Sequence, residues 1–244
     1  MKRLLSIFLA ANFAILAFGQ IEEKMQKEGV VTGVIIKKGV EIPGYIRKEA
    51  KISQNGRIYG TPWSYQGGIK FIPKEVFETT EKIKNKNYES YSPKDLEGFR
   101  YDNDSLVYET VKYSDASSLG VGTIPKLIFM RKLADGKISL YAHFSEPPKV
   151  MVGTPEDFEQ EYINCNTPHF VYRKGADGKL KLVSLMNIEK ELADCPYVVE
   201  KHANGEYNIV GKKNTKFNRF LNSSDDLRED IRLTVIEDYN NNCE

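Results

Sequence analysis

Residues 123–144, TIPKLIFMRKLADGKISLYAHF, decide the fold. Two runs rich in β-branched, aromatic and other apolar residues flank Asp135-Gly136. An Asp-Gly pair in that setting is a strong hairpin cue, since both residues accept the left-handed backbone of a tight turn. The stretch reads as two antiparallel strands, and the same grammar extends in both directions. Upstream, VVTGVIIKKGVEIPGYI (30–46) places two β-branched runs around Lys38-Gly39, and GRIYGTPWSYQGGIKFI (56–72) and FRYDNDSLVYETVKY (99–113) add short runs punctuated by glycine, proline and polar turns. Downstream, HFVYRKGADGKLKLV (169–183) repeats the device at Asp177-Gly178. Short strands with turns between them, from Val30 to about Val183, predict a mainly antiparallel β-sandwich or open barrel rather than a parallel sheet interleaved with helices.

Past Ser184 the period changes. LMNIEKELADC (185–195) puts Leu185, Ile188 and Leu192 on one helical face with Ser184 as cap, and PYVVEKHANG (196–205) opens on a helix-starting proline and stops at Asn204-Gly205. SSDDLREDIRLTVIEDYN (223–240) reads as a third helix, capped by Ser224, with Leu227, Ile231, Val235 and Tyr239 on one side and acids in its first turn. Within the β region, YSPKDLEGF (91–99) suits a helical turn started by Ser92-Pro93, or a loop. The fold class expected is α+β: a β-rich domain over 20–183 and a small C-terminal helical subdomain, 184–244, packed on it.

The first residues carry an address. Lys2 and Arg3 precede an apolar run from Leu4 to Phe18, with Ala17 and Gly19 ahead of a cut before Gln20. That is the layout of a secretory signal over 1–19. The run of about 15 residues is shorter than the roughly 20 that span a bilayer, so cleavage is expected, with no transmembrane anchor left. The expected localisation is export to the periplasm, outer surface or medium. The chain has 35 basic and 34 acidic residues. Loss of Lys2 and Arg3 leaves a mature net charge of about −1, which gives a polyanion no strong pull and argues against a nucleic-acid partner.

Four segments, YSPKDLEGF, GKISLY (136–141), LADCP (192–196) and the terminal YNNNCE (239–244), together resemble a loosely defined group of uncharacterised exported proteins from Bacteroidota-type bacteria. The resemblance covers most of the mature chain and carries no catalytic motif. It implies export and a β-rich body with helices at the end, and it implies no particular activity.

Three cysteines, Cys165, Cys195 and Cys243, allow three single bridges. Cys195 with Cys243 is the disulfide expected, since it ties the last helix back to the preceding ones; Cys165 with Cys195 competes, and Cys165 is otherwise buried and free. The alternative use of Cys195, a nucleophile at a helix start, needs a base in contact. His202 lies seven residues on, about 10 Å along a helix at 1.5 Å per residue. Metal motifs are equally thin: Asp102 and Asp104 begin like a calcium loop, but Val107 stands at the glycine position and Tyr113 at the twelfth. No metal site, cofactor or catalytic residue is expected.

Tyr59, Trp63 and Tyr65 cluster among four glycines in residues 56–68. Such rings pack into a strand core or, as the speculative ligand-binding reading, stack on a sugar or peptide. The function expected is a non-catalytic envelope binding or scaffold module whose partner is an envelope protein, a peptide or a glycan. The alternative is an envelope hydrolase whose site is assembled only in the fold, with His143 or His169 beside a carboxylate; a small-ligand pocket inside the β body is a third reading.

Overall fold

A computed structural model describes residues 19–48, 50–52, 58–60, 62–101, 106–114, 125–146, 153–207 and 227–243. Residues 1–18 of the expected signal 1–19, the pair Asp102 and Asp104, and Ser224 lie outside the described residues. The fold is α+β with a mainly antiparallel sheet. Its strands are β1 (Val30–Lys37), β2 (Val40–Arg47), β3 (Ala50–Ile52), β4 (Ile58–Gly60), β5 (Ile69–Pro73), β6 (Glu89–Tyr91), β7 (Gly98–Tyr101), β8 (Leu106–Tyr113), β9 (Lys126–Ala134), β10 (Ile138–Phe144), β11 (Pro168–Lys174) and β12 (Lys181–Leu182). Ten of them hydrogen-bond in the order β12-β11-β10-β9-β8-β7-β1-β2-β5-β6, and β3 pairs separately with β4. The helices are α1 (residues 19–28), α2 (Lys74–Thr79), α3 (Pro155–Asn166), α4 (Ile188–Glu191), α5 (Pro196–Ala203) and α6 (Leu227–Asn242). Among the described residues no helix is long and apolar enough to cross a membrane.

The chain divides into two compact units. Unit 1 holds residues up to Gly60 together with Gly67–Thr110, and unit 2 holds Thr61–Gln66 together with Val111–Glu244. The division falls inside β8, and the late helices share one core with β10 and β11.

Unit 1 is built on the β1–β2 hairpin, in register from Val30↔Arg47 to Lys37↔Val40. Its two-residue turn has Lys38 at φ 53° and Gly39 at φ 71°, the left-handed pair that matches strand twist. The Glu97 carboxylate accepts from the Gly39 amide at 3.0 Å. Val30, Tyr45, Ile72 and Phe77 form a buried core against which Ile21 and Met25 of α1 pack. Lys24 fixes α1 to α2, its Nζ donating to the carbonyls of Phe77 and Thr80 at 2.5 and 2.6 Å. A cation is favoured there because carbonyls at a helix C-terminus lack intrahelical partners.

Unit 2 follows from the alternation along β10. Ile138, Leu140, Ala142 and Phe144 point to one face and Ser139, Tyr141 and His143 to the other, as the two-residue strand period requires. On the first face Ile138 and Leu140 join Phe170 and Tyr172 of β11 in a buried cluster with Leu192, Val198, Leu233, Val235, Ile236 and Tyr239 of the helical segment. The opposite face groups Tyr141 with Val111, Tyr113, Met130 and Val171. Asn240 of α6 acts as an extra strand edge: its amide accepts from Ile138 N at 2.8 Å and donates to Ile138 O at 2.7 Å.

The helical readings hold in part. α5 starts at Pro196 and ends at Asn204, with Gly205 at φ 73°, as the sequence indicates. The helix read within 185–195 instead splits into a 3₁₀ turn, Val183–Leu185, and the short α4, whose cap is not Ser184 but Asn187, the Asn187 side chain accepting from Lys190 N. Ile188 and Leu192 are buried, but Leu185 is 72% exposed, because the break at Asn187 removes it from the common face. Asp177-Gly178 sits in a six-residue connection in which the left-handed residue is Gly175, φ 70°, so no tight two-residue turn forms there. The Ser92 segment is a turn, closed by Ser92 N and Oγ donating to Asp95 at 2.8 and 2.6 Å.

Candidate functional site

A groove of about 510 Å³ opens in unit 1, lined by Ile21, Met25, Val34, Pro43, Tyr45 and Tyr101, with Glu22, Thr32, Lys74 and Glu78 among its polar groups. α1 supplies one wall, β1 and β2 the floor, and α2 the polar end. Gly33 and Gly44 stand opposite each other in the hairpin and also line it. A Cβ at Gly44 would lie 2.4 Å from the Ile72 carbonyl, and one at Gly33 2.6 Å from the Ile46 side chain. No larger residue fits at Gly44 without moving backbone. Tyr45 donates from its hydroxyl to Glu78 at 2.9 Å, and Lys74 stands 3.9 Å from the same carboxylate. Burial first, and Glu78 next, push the Tyr45 phenol up to about 12. It therefore stays a neutral hydrogen-bonding group. The site offers a half-open trough with apolar side chains from α1, β1, β2 and β7 and a hydrogen-bonded polar group of Tyr45, Lys74 and Glu78, within the size range of small-ligand pockets.

The aromatic segment is placed differently from its ligand-stacking reading. Trp63 is 8% and Tyr65 6% exposed. Trp63 lies in the 3₁₀ turn Pro62–Gln66 and packs with Ala142, Phe144 and Cys165. The turn is held by Gln66, whose side-chain amide donates to Phe144 O and accepts from Phe144 N, both at 2.7 Å. A ring must present an open face to stack on a ligand; Trp63 is spent on the core of unit 2, and Tyr65 is buried. Tyr59 lies in β4, and its side chain is outside the described residues.

No protein-family model, curated protein or solved structure matches this chain.

Cys195 and Cys243 are joined, with Cα atoms 5.8 Å apart and 48 residues of separation, and Cys165 is buried and free. Burial, and then Glu161, raise the Cys165 thiol to about 11, the opposite of what a nucleophile needs. Around the disulfide runs a polar lattice. Lys174 bridges to Asp194 at 2.6 Å, and Asp194 accepts from the Tyr239 hydroxyl at 2.6 Å. Lys201 bridges to Asp238 at 2.7 Å, and Asp238 also accepts from Tyr207 at 2.7 Å. The Lys174 ammonium, then Tyr239, hold Asp194 below the usual carboxylate range. Asp238 is opposed by burial but is still lowered, through Lys201 and Tyr207. Every one of these groups is answered by a partner, which marks the lattice as architecture.

The histidines separate in sequence come together in part. His143 on β10 pairs directly with His169 on β11, their ring centres 6.4 Å apart. Ser145 Oγ is 3.2 Å from His169 Nε2. Sequence reading missed this juxtaposition, since only the strand register reveals it. The signal that was present is the hairpin-like spacing of β10 and β11 around an inserted helix, α3, whose start at Thr154-Pro155-Glu156-Asp157 is a capping box.

Proposed function

We propose that this chain is an exported, non-catalytic binding module of the cell envelope, and that the groove of unit 1 takes the apolar body of a small amphipathic ligand. The observation that carries the reading is the groove itself: apolar walls from Ile21, Met25, Val34, Pro43 and Tyr101, and hydrogen-bonding groups collected at Tyr45, Lys74 and Glu78. Other routes to binding have less support. The end strands of the sheet are short, three residues in β6 and two in β12, which gives an added strand little to pair with. The rings of Trp63 and Tyr65 are buried. Export is supported by the signal-like first residues and by the disulfide, which persists in oxidising compartments.

The test uses the full chain and the neutral fluorescent probe N-phenyl-1-naphthylamine. The expected result is saturable binding at one equivalent, weakened at least about tenfold in Val34→Phe, a factor that corresponds to about 1.4 kcal/mol. The extra ring enters the groove from half-buried β1, so circular dichroism and the melting temperature should stay unchanged. Undiminished binding by a folded Val34→Phe protein would remove the groove from consideration.

One observation favours the hydrolase alternative, the contact of Ser145 Oγ with His169 Nε2 at 3.2 Å. A nucleophile and base of this kind need a third group to orient the ring. Beside the exposed His169 ring stands a second imidazole, His143, with ring centres 6.4 Å apart.

A further inference from the structure

Where α1 ends, unit 1 gathers four cations that the groove does not use. The β2–β5 register, Tyr45↔Ile72 then Ile46↔Phe71, continues to Arg47 opposite Lys70. Arg47 pairs on its other side with Val30 of β1, and Lys70 with Ser90 of β6. Arg47 and Lys70 stand two residues from Tyr45 and Ile72, so both leave the sheet on that same face. The row Val30, Arg47, Lys70, Ser90 thus sets two cations side by side with no carboxylate on either flank, an arrangement that is destabilising unless something answers it. Gly29, at φ 63°, ends α1, and its carbonyl accepts from Lys48 N at 2.8 Å. Lys27 and Lys48 thereby join Arg47, Lys70 and Glu28 around a cavity of about 350 Å³ that shares no lining residue with the groove. Among the described residues none of the four cations is in an ion pair.

We propose that this cavity binds a phosphate group, carried by a small phosphomonoester or by a lipid headgroup. Four cations against the one carboxylate of Glu28 leave three positive charges in excess. A phosphate monoester brings about two negative charges at neutral pH and three strong acceptor oxygens, whereas a carboxylate brings one charge and two oxygens. Arg47 Nη1 donates to Asn85 Oδ1 at 3.3 Å, and the guanidinium lies over the Tyr88 ring at 5.6 Å. Those contacts steady the group while using one of its five N–H donors, and the remaining fork matches two phosphate oxygens. Lys70 is half-buried, so its ammonium meets an anion with less screening than a fully exposed one. The last carbonyls of α1 carry about half a negative charge, too little to cancel the excess.

Isothermal titration of the full chain with inorganic phosphate, at neutral pH and low salt, tests this. Phosphate should bind at one equivalent with a Kd below about 1 mM, and acetate at least about tenfold more weakly. Arg47→Gln and Lys70→Gln should each weaken phosphate at least about fivefold. Lys27 and Lys48 are exposed, so Lys27→Gln combined with Lys48→Gln leaves the fold intact and should also weaken it, by about threefold or more. Glu28→Gln should tighten phosphate about two- to threefold, because it removes the one opposing carboxylate; a merely structural role would give no such gain. Lys179→Gln, at an exposed lysine of unit 2, should bind like the parent. Sedimentation with phosphatidylcholine vesicles containing phosphatidic acid separates the two sources. Retention that free phosphate competes away assigns the headgroup, and phosphate binding without retention assigns a soluble phosphomonoester. Phosphate binding weaker than about 1 mM, unchanged affinity in a folded protein carrying both Arg47→Gln and Lys70→Gln, or acetate bound as tightly as phosphate would each overturn the site.

Discussion

Gln66 is the residue on which the placement of Trp63 turns. A buried amide is costly unless both ends are satisfied, and here one side chain reproduces a strand partner for Phe144 by giving and taking one hydrogen bond each at 2.7 Å. That clamp seats Trp63 against Ala142, Phe144 and Cys165. Truncating a buried tryptophan leaves a cavity and costs about 3–5 kcal/mol. Trp63→Ala should therefore lower the melting temperature by about 6–20 °C, at roughly 2–4 °C per kcal/mol for a chain of this length. Circular dichroism is the measurement, since the protein's single tryptophan is the residue removed. A fall of less than about 2 °C would return Trp63 to the surface and revive the stacking reading. The sequence supported either outcome: aromatics at 59, 63 and 65 among glycines suit a strand core as well as a loop. What decides between them is Phe144, 78 residues beyond Gln66, and no local pattern reports a partner so distant.

Among the elements, those with strong local chemistry were legible and those defined by tertiary partners were not. The Lys38-Gly39 turn and α5 carry their start and stop signals in adjacent residues, and both form where expected. α3 escaped notice because its apolar stripe is weak: only Cys165 is buried along its twelve residues, and the capping residues Thr154 and Asp157 were the available cue. Three segments that suggested a family resemblance meet in unit 2. Asp194 receives the Tyr239 hydroxyl, Asn240 pairs with the Ile138 backbone, and Cys195 is bonded to Cys243. A Cβ at Gly136 would lie 2.7 Å from the Asn240 side chain, which explains a glycine at the head of GKISLY. These segments are therefore read as a staple for α6. Closing a loop over a separation of 48 residues stabilises by about 4 kcal/mol in the chain-entropy account, whose mechanism is debated. Cys243→Ser should thus lose about 2–4 kcal/mol in denaturant unfolding of the oxidised protein, and reducing agent should bring the parent down to the same midpoint. Equal midpoints for parent and variant before reduction would mean that the bridge contributes no stability.

For the molecule as a whole, the groove was beyond reach of the sequence because its walls come from α1, β1, β2, β7 and α2, segments brought together only by strand order. That assembly also bears on the proposed export, because it limits where a signal could be cut without loss of the groove. Ile21 and Met25 pack on the core of unit 1, and Lys24 holds the last carbonyls of α2. A cut ahead of Gln20 retains all three, whereas a cut only eight residues later would strip the wall from the groove. Exported protein should accordingly begin at Gln20 by N-terminal sequencing. A chain made to start at Glu28 should be less stable by about 2 kcal/mol, taking two half-buried apolar side chains at about half of the 1.5–3 kcal/mol that full burial supplies. It should also lose binding of the naphthylamine probe. The two readouts separate the causes: a truncated protein that melts earlier yet still binds the probe would show that α1 supports the core without forming the site, and one that is unchanged in both would place the working N-terminus beyond α1.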